Sequence, residues 1–158
     1  MIRTTRNLFA SAMLTFAWLG AAHAQSLGPD GIVRVRSAYA MDETITRIRA
    51  DIAAKGILFF QAVDQAQLAA KAGIALRPST LLEFGNPPLG AQFLTANPNA
   101  GLDWPVRLLI TQDESGAVWA AWTDFAWIAK RHDITDRKMQ FDTATGVVES
   151  ITSTVKSQ

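Results

Sequence analysis

Val106 to Gln112 and Ala117 to Thr123 are two apolar, β-branched or aromatic runs joined by Asp113-Glu114-Ser115-Gly116. Such composition suits the pleated, half-buried surface of a strand, and a short polar loop ending in glycine allows the positive φ of a tight turn. The chain is thereby committed to an antiparallel strand pair whose apolar side chains need a second layer to cover them. Because side chains alternate along a strand, Trp119 and Trp122 fall on opposite faces, and one of them is expected off the main core.

The rest of the pattern supplies that layer. Ile32-Val33-Arg34-Val35-Arg36 alternates apolar and basic residues, as a strand with one buried face does. Met41, Ile45, Ile48 and Ile52 recur at helical spacing, opposite Glu43, Arg47, Arg49 and Asp51, and Gly56 marks that helix's end. Ile57 to Val63 and Ser79 to Phe84 read as two further strands. Between them Asp64 can cap a short helix, about Gln65 to Ala72, that Gly73 ends and Pro78 keeps from running on. Asn86-Pro87-Pro88 joins an N-cap residue to prolines suited to a first turn, which predicts a helix over 89–96. Asn97-Pro98 ends it, and a loop follows through Gly101-Leu102-Asp103. Asp124 can cap a helix running to about His132. Phe141, Ala144, Val148, Ile151 and Val155 write a last amphipathic helix over about 139–156. The order β-α-β-β-β-β-α, with short extra helices, predicts an α+β fold with helices laid on one face of a largely antiparallel sheet.

Ahead of these elements, Arg3 and Arg6 precede a mostly apolar run from Leu8 to Ala22 and then Ala22-His23-Ala24. This is the pattern of a secretory signal peptide over 1–24, with cleavage expected after Ala24; the apolar run is short for a span of ~20 residues. The remainder, 25–158, is of ordinary size for one domain. A lipid anchor would need a cysteine at the cleavage site, and the chain has none, so the mature protein is expected in the periplasm or secreted, with no membrane span. Lack of cysteine also excludes disulfides, a thiol nucleophile and thiolate metal sites. Loss of Arg3 and Arg6 reduces 15 basic residues to 13 against 14 acidic ones, a formal charge of −1. With the signs mixed along the chain, no electrostatic footprint for nucleic acid exists.

Several spaced motifs carry a resemblance: Leu76-Arg77-Pro78 leading into Leu81-Leu82-Glu83-Phe84-Gly85-Asn86-Pro87, then Ala100-Gly101-Leu102-Asp103-Trp104-Pro105, then Ala129-Lys130-Arg131-His132. Over about Val33 to His132 the chain resembles domain-of-unknown-function family 302, and the C-terminal helix fits the family's usual ending. The resemblance implies a TATA-box-binding-protein-like α+β fold, with a strongly curved antiparallel sheet backed by helices, and often a homodimer. It implies no activity. Two positions depart from the family pattern: Gln65 follows Asp64 and Phe125 follows Asp124, where the family often has histidine and proline. A paired-histidine site would be incomplete here.

His132 is the one histidine left after cleavage, beside Arg131 and Asp133 and a turn from Asp136. Zinc sites need three or four ligands, so His132 is a weak metal candidate, and a helix-end histidine meeting the last carbonyls is the favoured account of it. No cofactor is expected. Neither a Gly-x-Ser-x-Gly elbow nor a phosphate-loop spacing is present. Asp64, Glu83, Asp103 and Asp124 could supply acid and base pairs, although Asp64 and Asp124 are explained as helix caps. Glu83 interrupts an apolar strand, so the face opposite the core must be solvent or a cleft, and Arg77 could pair with Glu83 or grip an anion. Trp104, Trp119, Trp122 and Trp127, four of the five tryptophans, fall in one stretch with Phe125, enough for core, dimer packing or a groove for a planar ligand.

The candidate ligand-binding residues are therefore Trp104, Trp119, Trp122, Arg77, Glu83, Asn86, Asp103 and His132. The leading expectation is a homodimeric binding or accessory protein of the periplasm that holds a small molecule or an envelope protein on the open sheet face. The alternatives are a metal-assisted or acid-base hydrolase centred on His132, and a protein that only assembles with itself or an envelope partner.

Overall fold

A computed structural model describes residues 30–157. The expected leader, 1–24, lies outside them. In chain order the elements are β1 (Ile32–Arg36), α1 (Met41–Ala54), β2 (Leu58–Asp64), α2 (Gln65–Lys71), β3 (Ser79–Gly85), α3 (Pro87–Ala96), β4 (Val106–Gln112), β5 (Val118–Thr123), α4 (Phe125–Arg131) and α5 (Lys138–Ser153). The strands form one five-stranded, wholly antiparallel sheet in the spatial order β1-β5-β4-β3-β2. The Asp113 hairpin joins β4 to β5, with Gly116 at φ 82°.

One face of the sheet makes the core. Val35, Leu82, Leu108, Ile110, Ala120 and Trp122 are all buried on it, and Ile48 and Ile52 of α1 pack there with the apolar stripe of α5. Phe141, Ala144, Val148 and Ile151 of the stripe read from the sequence are buried on α5, and Val155, also buried, lies just past the helix, which ends at Ser153 rather than about 156. Each large apolar side chain so buried contributes about 1.5–3 kcal/mol, which outweighs the modest helix propensity of the threonines between them. Phe141 stacks on Phe93 of α3 at 4.3 Å between ring centroids, tying α3 to α5.

The three capping residues sit as expected, Asp64 accepting from the Gln67 N–H, Asn86 from Leu89 and Asp124 from Trp127. One local difference concerns Pro98–Leu102, a 3-10 turn where the sequence predicts a loop. Asn97 causes it, because its side chain accepts from the Asn99 N–H and starts a new turn just where α3 stops. A second lies in β2, where Phe60 is an extra residue between the pairs Phe59–Phe84 and Gln61–Glu83. This bulge breaks simple alternation on an edge strand. No helix among the described residues is long and apolar enough to cross a membrane.

Candidate functional site

Antiparallel register decides what the uncovered face of the sheet carries. Arg34 lies opposite Ala121, Ala121 opposite Leu109, and Leu109 opposite Leu81, an apolar row that begins with an arginine. In the flanking rows Arg36 lies opposite Trp119 and Glu83 opposite Arg107. A groove of about 620 Å³ lies on this face, floored by Leu81, Leu109 and Ala121 and bordered by Trp119, Arg34 and Arg107. A cleft of that size, mostly apolar with a few charged groups, is the usual form of a small-molecule site. Of the arginines on this face, Arg34 is paired with Asp30 and Arg107 with Asp103.

Trp119 is held in place by the hairpin loop. Its indole N–H donates to Asp113 Oδ2 at 2.8 Å, while Oδ1 accepts from Ser115 Oγ at 2.6 Å and from the N–H groups of Ser115 and Ala117. The Ser115 hydroxyl, then the Trp119 indole and the backbone donors, hold the Asp113 carboxyl below its ordinary value, at about 2. The sign follows from linkage: a depressed folded-state pKa means that the clamp stabilises fully above the ordinary carboxylate value and is lost as pH falls through about 2. Tryptophan emission of the wild type, less that of Asp113→Asn, should stay level down to about pH 4 and change as pH falls toward 2. A level difference across that whole range would refute the clamp.

A second group of polar side chains gathers around Asp103. The 3-10 turn ends at this residue and leaves its side chain only 4% exposed, against the end of α4. His132 Nε2 lies 2.6 Å from Oδ2, Arg131 Nη1 3.1 Å and Arg107 Nη2 3.2 Å from Oδ1. Arg107 also donates to the Leu102 carbonyl at 2.7 Å. His132 closes α4, and its carbonyl accepts from Asn97 Nδ2 at 2.8 Å. The imidazole thus faces Asp103, where the sequence allowed it to face the last carbonyls of α4, and Asp136 faces Arg137 instead. Two cavities of about 30 and 20 Å³ border Asp103, each with room for about one water, and the His132 ring lines neither. This is the geometry of a tie between two loops. No group of three or more metal-ligating side chains exists among the described residues.

The remaining candidates do not converge. Arg77 meets Glu114 of the hairpin loop at 3.2 Å, where the sequence left open Glu83 or an anionic ligand, and Glu83 accepts from Gln61 at 2.7 Å. The expected aromatic group is dispersed: Trp122 is in the core, Trp119 on the open face and Trp127 at the surface. Trp104 lies over the glycines of β3 and α3 and meets Phe60 edge to face at 5.8 Å. Asn86 caps α3. The structure therefore joins Trp119 to Arg34 and Arg107, which sequence reading missed, and joins Asp103 to His132. Asp113 was missed as well, although an acid at the first position of a hairpin loop is a known turn signal.

Over residues 33–156 the sequence matches the family described as "Domain of unknown function DUF302". A crystal structure of an uncharacterized conserved DUF302 protein from Bacillus stearothermophilus superposes with a TM-score of 0.73 at 17% identity, covering 80% of this chain and 98% of that one. It shares the fold. The chain is also 38% identical over 109 residues to "Fluoride-specific ion channel FluC 1" of Brucella suis biovar 1 (strain 1330), covering 69% of this chain and 43% of that protein. The protein of the same name from Brucella abortus biovar 1 (strain 9-941) is likewise 38% identical, with 40% of its length covered. The chain thus spans less than half the length of these curated relatives. A match over nearly all the described residues and a sheet of the same architecture lead to one conclusion: the chain belongs to the DUF302 family.

Proposed function

We propose that the protein is an exported binding protein of the periplasm or cell exterior that holds a small, partly planar anion on the open face of its sheet. The observation that carries this reading is the groove itself, where the clamped indole of Trp119 and the side chains of Arg34 and Arg107 line one cleft with an apolar floor. A stacked ring would contribute through its area, and guanidinium N–H groups not used by Asp30 or Asp103 would meet a carboxylate, sulfonate or phosphate. Native mass spectrometry of protein purified from its own cell envelope tests it. Extra mass should be retained by the wild type, and Trp119→Ala should lose it, with affinity reduced about tenfold or more and the fold intact. Equal loss of stability with unchanged affinity would sink the reading.

The proposed assembly is a homodimer. β2 pairs with β3 alone, and along this edge and the following segment Leu58, Phe60, Leu68, Ile74 and Leu76 are each at least 45% exposed. An apolar edge strand of this kind tends to be covered by another strand or surface. Light scattering should give twice the chain mass, and Leu58→Lys with Phe60→Lys should give a monomer. A wild-type monomer at the same concentration would refute the assembly.

The Brucella relatives favour a second reading. Proteins named as fluoride channels contain a stretch like this one within a much longer chain, and no described helix here can cross a membrane. On that reading the chain serves beside an envelope transport protein. Envelope crosslinking would then tie it to an integral membrane protein, and native mass spectrometry would find no small ligand.

A further inference from the structure

The helical side of the sheet holds a second cavity, independent of the open-face groove. About 400 Å³ in volume, it lies between α5 and the ends of β3 and β4, walled by Ile57, Phe84, Leu89, Val106 and Val147. Lys55, Asn86 and Thr143 are the polar residues among its lining. Leu89, Val106 and Ala144 also line the small cavity of about 30 Å³ beside Phe93 and Trp104, so the two spaces adjoin and the apolar one continues inward.

We infer that this cavity binds a straight-chain carboxylate of medium length, with its carboxylate at Lys55 and its chain running under α5 toward Phe93. Size, lining and charge support the assignment. At ~30 Å³ for a water-sized heavy atom, 400 Å³ accommodates about a dozen heavy atoms, the number in decanoate. Apart from Asn86 and Thr143, the walls beyond Lys55 offer only dispersion contacts along a chain. Among the described residues Lys55 is the one cation that lines the space. Lys55 Nζ gives one N–H to Asp51 at 2.6 Å and retains two more, with its side chain 31% exposed at the mouth. The start of α3 does not compete for the anion, since Pro87 and Pro88 have no N–H and the Leu89 N–H is taken by Asn86.

Titration of decanoate into the uniformly ¹⁵N-labelled protein, followed by amide NMR, tests this without a variant. Saturable shifts are expected at Lys55, Leu89 and Val147, and none at Leu109 or Ala121 on the other face. No saturable shift, or shifts confined to the open face, would overturn the inference. Lys55→Met should weaken decanoate about tenfold and leave decanol unchanged; equal weakening of both would remove the carboxylate from the proposal. Trp119→Ala should leave decanoate affinity unaltered, so failure of the open-face reading and failure of this one are separable.

Discussion

Asp103→Ala should destabilise the protein by about 1–3 kcal/mol, the cost of leaving a buried hydrogen-bonding group without its partner. Its carboxylate is 4% exposed and His132 is 5% exposed, so neither recovers solvent when the other is removed. Arg107 and Arg131 are about half exposed, at 47% and 51%, and their share is screened by water and contributes little. The effect is therefore concentrated in one hydrogen bond of 2.6 Å and in the loop geometry it ties. Urea unfolding monitored by circular dichroism would measure it. Asp103→Asn, which keeps an acceptor and the side-chain volume, should cost less than Asp103→Ala. In a double-mutant cycle with His132→Ala the coupling should exceed about 1 kcal/mol, since residues in direct contact do not behave additively. A loss below about 1 kcal/mol for Asp103→Ala would mean that the tie is incidental.

The elements that the sequence disclosed are those written in local periodicity. β1 shows alternation over five residues, α5 repeats its stripe from Phe141 to Ile151, and three caps mark their helices by residue type. β2 is the counter-example, because its bulge at Phe60 depends on what β3 offers across the pair. The site was legible only in pieces. Alternation separated Trp119 from Trp122 and turned Glu83 away from the core, both correctly. Which arginines join Trp119 depends on the register among β1, β5 and β4, and no period within one strand contains that. His132 and Asp103 are 29 positions apart, so their meeting depends on where α4 ends and on a 3-10 turn started by Asn97. Proximity in sequence offered Asp133 and Asp136, and Asp103 entered only as one of several acids that could serve with His132. Likewise the closeness of four tryptophans along the chain suggested an aromatic cluster that strand alternation and helix direction disperse.

Gly90→Ala carries the second large effect, about 3 kcal/mol, and it arises from contact rather than from backbone conformation. A Cβ on Gly90 would stand 2.0 Å from Trp104 Nε1 and 2.3 Å from Cε2, far inside any real separation. The indole cannot simply slide away, because a Cβ position on Gly85 is already 3.2 Å from its Nε1, and Phe60 meets the ring edge to face. Relief requires the ring to leave, which would return much of the 150–250 Å² that such a side chain typically buries. Gly85→Ala should be milder, since a few tenths of an ångström relieve its contact. Thermal unfolding with tryptophan emission would rank the variants as wild type, Gly85→Ala, then Gly90→Ala, with the last shifted red in the folded baseline. The discriminating variant is Trp104→Ala: in that background Gly90→Ala should cost almost nothing, or stabilise slightly through helix propensity. If Gly90→Ala is equally harmful there, α3 needs the glycine for some reason other than the indole, and the close approach of Trp104 is not what holds α3 against β3.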